Sequence, residues 1–170
     1  MKFMKGFTLI EMLIAILLSA ILIAIGVPNY KYLMQNMNAM ALSTDFTTAL
    51  AYARNEAIRR VNFVTICPAA NTSLNSCGAA GNWSNGWIIF VDPNATGTIS
   101  SGSTLLKVRE ALETGTSITT TQAKIIYTSG GALNSGVGTF TLAAPGCSGG
   151  YGRIITLTTT GLARIATTTC

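Results

Sequence analysis

Six consecutive residues near the amino terminus, Gly6-Phe7-Thr8-Leu9-Ile10-Glu11, combine two kinds of chemistry: a peptide bond after a glycine, and a carboxylate placed where carboxylates are costly. A short basic leader carrying Lys2 and Lys5 stops at Gly6, and the apolar run that follows reaches Val27. An ordinary secretory signal puts its hydrophobic stretch ahead of the cleavage site, so the stretch leaves with the signal. A cut after Gly6 would instead come before the stretch and leave a mature chain that begins at Phe7 with its own membrane helix. Glu11 is the anomaly of that helix. An acid at mid-membrane costs roughly 2.5–3.5 kcal/mol on insertion scales, and intramembrane ionisable residues mark function. Two readings stand. Either the carboxylate lies at headgroup level close to the new amino terminus, or it meets an opposite charge in low dielectric, which offsets much of the cost each would bear alone.

The remaining reactive groups exclude more than they suggest. The four cysteines, Cys67, Cys77, Cys147 and Cys170, contain no C-x-x-C, and the chain has no histidine. A zinc site would need all four thiolates or recruited acids at spacings that fit neither, so no metal is expected and disulfides in an oxidising compartment are the better reading. Four cysteines allow three pairings. Nearness along the chain favours Cys67 with Cys77 and Cys147 with Cys170, each loop contributing roughly 3 kcal/mol in the chain-entropy model. A nucleophile needs a base, and Asp45, Asp92, Glu110 and Glu113 are scattered without paired spacing, so the chain does not read as an enzyme. The glycines around Cys147 and between Ser135 and Gly138 separate strand-like runs, which makes them turns and not phosphate cradles. No cofactor is implied.

The elements that must carry these groups are legible in outline. Residues 7–27 number 21, against about 20 helical residues at about 1.5 Å each to cross a bilayer core. Beyond Lys31 the residues Leu33, Met37, Met40, Phe46, Leu50, Ala53, Ala57 and Val61 recur mostly at steps of three and four, the period of one helical face. That stripe predicts the surface on which a globular domain sits. Glu56 precedes Arg59 and Arg60 in the favourable order for helix-surface pairs. Pro28 is expected to kink the helix or open its ladder, and Ser43-Thr44-Asp45 would suit an N-cap if the helix breaks there. After Arg60 short apolar runs at 61–66, 86–91, 104–110, 125–127, 138–142, 153–157 and 161–166 read as strands, with no helical signal among them. The threonine-rich stretch 114–121 reads as an edge strand or loop. Trp87, Ile89 and Val91 alternate on one side of a strand, and Trp83 and Trp87 read as packing residues rather than a platform for bases. The fold class is α+β: a long amino-terminal helix, membrane-spanning in its first half, packed on an antiparallel β-sheet or sandwich. The division is 1–6 leader, 7–28 membrane helix, 29–60 its amphipathic continuation and 61–170 a β-rich globular domain.

The leader motif resembles that of type IV prepilins and pseudopilins. The blocks Ala53-Arg54-Asn55-Glu56-Ala57-Ile58-Arg59-Arg60, Val64-Thr65-Ile66-Cys67-Pro68 and the run from Trp83 to Asp92 resemble the GspH/FimT family of minor pilins and pseudopilins. The likeness covers roughly the first half of the chain. It implies cleavage between Gly6 and Phe7 by a prepilin peptidase, N-methylation of Phe7, and a role for Glu11 in pairing with the terminal amine of a neighbouring subunit during filament assembly. The implied partners are the inner membrane and other pilins met through the helix, with the globular domain periplasmic until assembly. Three functions follow from it: minor pilin of a type IV pilus, pseudopilin of a type II secretion system, or DNA-binding minor pilin for transformation. The last uses a carboxy-terminal Gly-Arg-x-Arg segment in the family. Here Gly161-Leu162-Ala163-Arg164 retains one of its two arginines, so Arg164 with Arg153 would have to supply a weak DNA contact.

Overall fold

A computed structural model describes residues 7–170; Gly6 and the rest of the leader lie outside the described residues. One helix, α1 (Leu9–Arg60), runs unbroken through Pro28 and through Ser43-Thr44-Asp45. No cap forms at Ser43. Its buried hydroxyl donates to the Met40 carbonyl at 2.9 Å, and Thr47 Oγ1 donates to the Ser43 carbonyl at 2.7 Å, so both hydroxyls are satisfied on the preceding turn and the helix continues. Pro28 withholds the donor that the Ala24 carbonyl would otherwise take, which opens the ladder at that bond without ending the helix. The helix ends at Val61, whose left-handed backbone (φ 52°, ψ 41°) turns its N–H back to the carbonyls of Ala57 and Ile58.

The face that α1 buries runs through Leu42, Phe46, Ala49, Leu50, Ala53 and Ala57. The expected stripe is therefore correct from Phe46 to Ala57 and fails at its ends: Leu33, Met37 and Met40 are exposed, and Val61 is 78% exposed. The phase explains the first failure. Met40 and Phe46 are six residues apart, about 240° around a helix of 3.6 residues per turn, so they point to different sides. Glu56 lies on the buried side, only 6% exposed, and takes hydrogen bonds from Arg59 and Arg60 at 2.6 Å. The Arg60 bond, opposed by burial and reinforced by Arg59, holds this carboxyl below the usual range.

The strands follow in the order β1 (Val64–Pro68), a 3₁₀ turn (Ala80–Asn85), β2 (Trp87–Val91), β3 (Thr104–Arg109), β4 (Ser117–Thr119), β5 (Ile125–Tyr127), β6 (Leu133–Ser135), β7 (Gly138–Ala143), β8 (Gly152–Leu157) and β9 (Ala163–Thr168). They form two antiparallel sheets, ordered β3-β2-β1-β5-β6 and β4-β7-β8-β9. Helix α1 packs against both. The threonine-rich segment supplies β4, an edge strand, whereas β6 and the 3₁₀ turn were not expected from the sequence. The turn is too short to show a period and closes on Asn82, whose Oδ1 accepts from the Ala79 N–H at 2.9 Å.

Phe46 joins the layers. Its ring lies 5.4 Å from Trp83, 5.3 Å from Trp87 and 5.3 Å from Phe140, which brings helix, 3₁₀ turn and both sheets to one aromatic cluster. Trp83 Nε1 donates to the Gln122 carbonyl at 2.8 Å, so the indole is buried with its polar edge satisfied. Strand β2 is buried on both faces. Trp87 and Ile89 face the main core, while Ile88 and Phe90 form a second small core with Cys67 and Ala69, covered by Leu74 and Cys77 of the loop after β1.

Candidate functional site

The amino-terminal site is built by the first turn of α1. Thr8 is its N-cap, extended at φ −81° and ψ 152°, and Thr8 Oγ1 accepts from the Glu11 N–H at 3.3 Å. Glu11 sits in that first turn, where the helix dipole favours a negative charge. From Phe7 to Val27 every large apolar side chain is exposed, on all sides of the helix. Two polar side chains within and just beyond this stretch are satisfied internally: Ser19 Oγ donates to the Ala15 carbonyl and Asn29 Nδ2 to the Ile25 carbonyl, each at 2.8 Å. Glu11 is then the one charged side chain of this segment, beside the free amides of its first turn and the Ala24 carbonyl that Pro28 leaves without its donor. The segment is long and apolar enough to cross a membrane.

A second assembly of residues clasps α1 to the carboxy terminus. Cys147 is bonded to Cys170 with Cα atoms 5.7 Å apart, and the loop between β7 and β8 reaches the helix from this staple. Gln35 Nε2 donates to the Gly146 carbonyl, Ser148 Oγ donates to Gln35 Oε1 at 3.1 Å, and the rings of Tyr32 and Tyr151 stack at 6.0 Å. Arg153 belongs to this clasp. It is 8% exposed, and its guanidinium donates to Asn36 Oδ1 and to the carbonyls of Tyr151 and Gly152. Cys67 and Cys77, with Cα atoms 5.5 Å apart, close the other loop over the second core.

The two arginines considered for DNA are not brought together. In the β8–β9 ladder Arg153 faces Thr167, and Thr156 faces Arg164. Arg153 and Thr156 are three residues apart on one strand, so they point to opposite faces and carry their partners with them. Arg153 turns inward to the helix, and Arg164 turns out to solvent.

Sequence reasoning missed the polar residues of α1 that hold the sheets. Arg54 Nε donates to the Gly131 carbonyl at 2.8 Å and its Nη2 to the Thr160 carbonyl at 3.3 Å. Beside it lies an open cleft of about 400 Å³ between Thr47, Ala51 and Arg54 of the helix and Tyr127, Gly161 and Leu162. Gly161 is required there, because its φ is +76° and a Cβ would fall 2.1 Å from the Gly131 carbonyl oxygen. Asp45 pairs with Arg109 at 2.8 Å, and Asp92 accepts from Thr65 Oγ1 at 2.9 Å and the Gly97 N–H at 2.7 Å. These acids are tied into structure, and among the described residues no group of three potential metal ligands occurs.

Residues 42–161 match the family model for type II transport protein GspH, and residues 1–27 match the prokaryotic N-terminal methylation motif. A comparison with curated proteins finds no match. Two crystal forms of the Pseudomonas aeruginosa (strain PAO1) type IV minor pilin FimU share the fold, each at 19% identity over 75% of this chain. They are covered over 87% and 91% of their own length, with TM-scores of 0.55 and 0.54. A methylation motif, a single apolar helix and a GspH head matched over more than half its length make one statement: this chain belongs to the GspH family of type IV pilin-like proteins.

Proposed function

We propose that the chain is a minor pilin, a structural subunit that enters a type IV pilus and takes part in its assembly or initiation. One observation carries the reading: a helix apolar on every side from Phe7 to Val27, with a lone acid in its first turn, continues without a break into the helix that organises the head. Such a segment needs lipid before assembly and neighbouring helices afterwards. In this reading residues 1–6 are removed by a prepilin peptidase after Gly6, Phe7 is N-methylated, and residues 7–28 anchor the chain in the inner membrane with its head, residues 61–170, in the periplasm. Glu11 then meets the terminal amine of a neighbouring subunit, so that two charges enter a low-dielectric core as a pair. A second reading, minor pseudopilin of a type II secretion system, is favoured by the match to type II transport protein GspH and uses the same residues.

The test is incorporation. Glu11→Ala is expected to be cleaved and inserted normally, with intact mass showing a mature chain that starts at N-methylated Phe7. Its amount in sheared pili should fall at least tenfold, about 1.4 kcal/mol of lost pairing or more. Normal incorporation of the variant overturns the role of Glu11. Abundant wild-type chain in the membrane but none in sheared pili, with protein secretion lost on deletion, moves the assignment to the pseudopilus.

A further inference from the structure

The two sheets present four edges, and three of them are blunted. β4 and β6 are three residues long, and β4 packs against the 3₁₀ turn. β6 is bulged opposite Ile126/Tyr127, and β3 is bulged opposite Ile89/Phe90 and carries Lys107 and Arg109. These are the devices by which sheets avoid pairing with foreign chains. β9 has only one of them, the single charge of Arg164. It is six residues long, keeps an unshifted register with β8 over its whole length, contains no proline and one charge, and is exposed from Ala163 to Thr167. Its Ile165 is 50% exposed although its ladder partner Ile155 is fully buried.

The unused backbone groups can be assigned. Thr158 donates to the Leu162 carbonyl, which makes that pair a hydrogen-bonded one, and alternation then turns Arg164, Ala166 and Thr168 toward β8. The N–H and C=O groups of Ala163, Ile165 and Thr167 point outward. The edge is also held still, by Cys170 in its disulfide with Cys147 and by the Cys170 N–H on the Gly149 carbonyl at 3.0 Å. We infer that the outer edge of β9 is a docking site for an extended segment of a different protein chain, which adds as a fifth strand to the β4-β7-β8-β9 sheet. That segment lays an apolar side chain beside Ile165 and places an acid near Arg164, which has no carboxylate partner among the described residues.

A second copy paired antiparallel does not fit. Its other edges are too short or bulged to match six residues, and two β9 edges meeting antiparallel would be related by a two-fold axis through the sheet. That axis reverses any helix lying on the sheet, so the two copies of α1 would run in opposite directions. This step rests on the membrane-anchored reading above, in which all copies insert from one side.

The test is residue-resolved amide exchange on the full-length chain, purified in detergent micelles and, separately, within cell envelopes of its own host. In micelles the amides of Ala163, Ile165 and Thr167 are expected to exchange at least tenfold faster than those of Arg164, Ala166 and Thr168. In envelopes the first three should gain at least tenfold protection. Thr167→Pro, whose missing N–H faces outward and leaves the β8 ladder intact, should abolish that gain at Ala163 and Ile165 while the protection of Arg164 and Ala166 stays unchanged. Unchanged exchange in envelopes overturns the proposal, as does protection already present in micelles that disappears on dilution, the signature of a second copy. Protection produced in micelles by duplex DNA alone also overturns it. The amide readout is independent of pilus incorporation, so failure of the minor-pilin reading would appear in sheared pili and not here.

Discussion

Val61 occupies a conformation that its branched side chain resists. A left-handed C-cap suits glycine, and an L-residue there carries roughly 1–2 kcal/mol of steric cost. Since the side chain is exposed, Val61→Gly gives up little burial and should raise the unfolding free energy of the full chain in micelles by about 1 kcal/mol, read by denaturant titration. Tyr127 is the opposite case, a buried group whose hydroxyl has no partner among the described residues. Burial pushes its phenol well above the ordinary tyrosine range, only partly offset by the nearby charge of Arg54. A raised pKa means that the stability tied to this proton is complete below about pH 10, where unfolded tyrosine titrates, and is lost as pH rises beyond it. Tyr127→Phe should therefore stabilise by about 1 kcal/mol at neutral pH, because it removes an unsatisfied hydroxyl. The stability difference between Phe variant and wild type should grow above pH 10; a shrinking difference would refute the assignment.

At the scale of elements, period and turn chemistry were legible and cover was not. The helix was readable because its face repeats from Phe46 to Ala57, and most strands were readable because they are short apolar runs between turn residues; β6, Leu133-Asn134-Ser135, is not such a run. The sequence could not show that β2 would be buried on both faces, since the covering residues, Leu74 and Cys77, come from a loop closed by a disulfide. Nor could it show Gln35 and Asn36 reaching residues more than a hundred positions away, for single polar residues on a helix look alike whether they meet water or a loop. The Cys147–Cys170 bridge holds that distant loop against the helix. Its removal by the paired change Cys147→Ser, Cys170→Ser should cost about 3 kcal/mol, by the entropy of a closed loop of this length. Amide exchange should accelerate first in residues 146–151 and in β9, leaving the Phe46 cluster protected. Loss of protection at Trp83 and Phe140 to the same extent would mean that the staple supports the whole core.

For the molecule as a whole, the sequence told which stretch of the helix is apolar on every side but not where charge gathers. Beyond Pro28 the chain holds nine basic and five acidic residues, and only the structure shows which of the nine are unpaired and where they lie. Arg59 and Arg60 share Glu56, Arg109 is paired with Asp45, and Arg153 is spent on Asn36. Those left, Lys31, Arg54, Lys107, Lys124 and Arg164, are dispersed over the helix, β3, the approach to β5 and β9, with Lys124 Nζ donating to the Thr96 carbonyl at 2.7 Å. Non-specific DNA affinity rises with the number of phosphates contacted at once, each contributing about 0.9 to the slope of log affinity against log salt. A surface that offers one or two cations per face gives a slope of about 1–2 and no binding tighter than about 10⁻⁴ M at physiological salt. A mobility-shift titration of the full chain in micelles at two salt concentrations should therefore show no shifted duplex at about 10 μM protein, and Arg164→Gln should change nothing. Micromolar binding with a slope above about 4, lost on that substitution, would require Arg164 to act with cations this arrangement keeps apart, and would return the chain to the transformation reading.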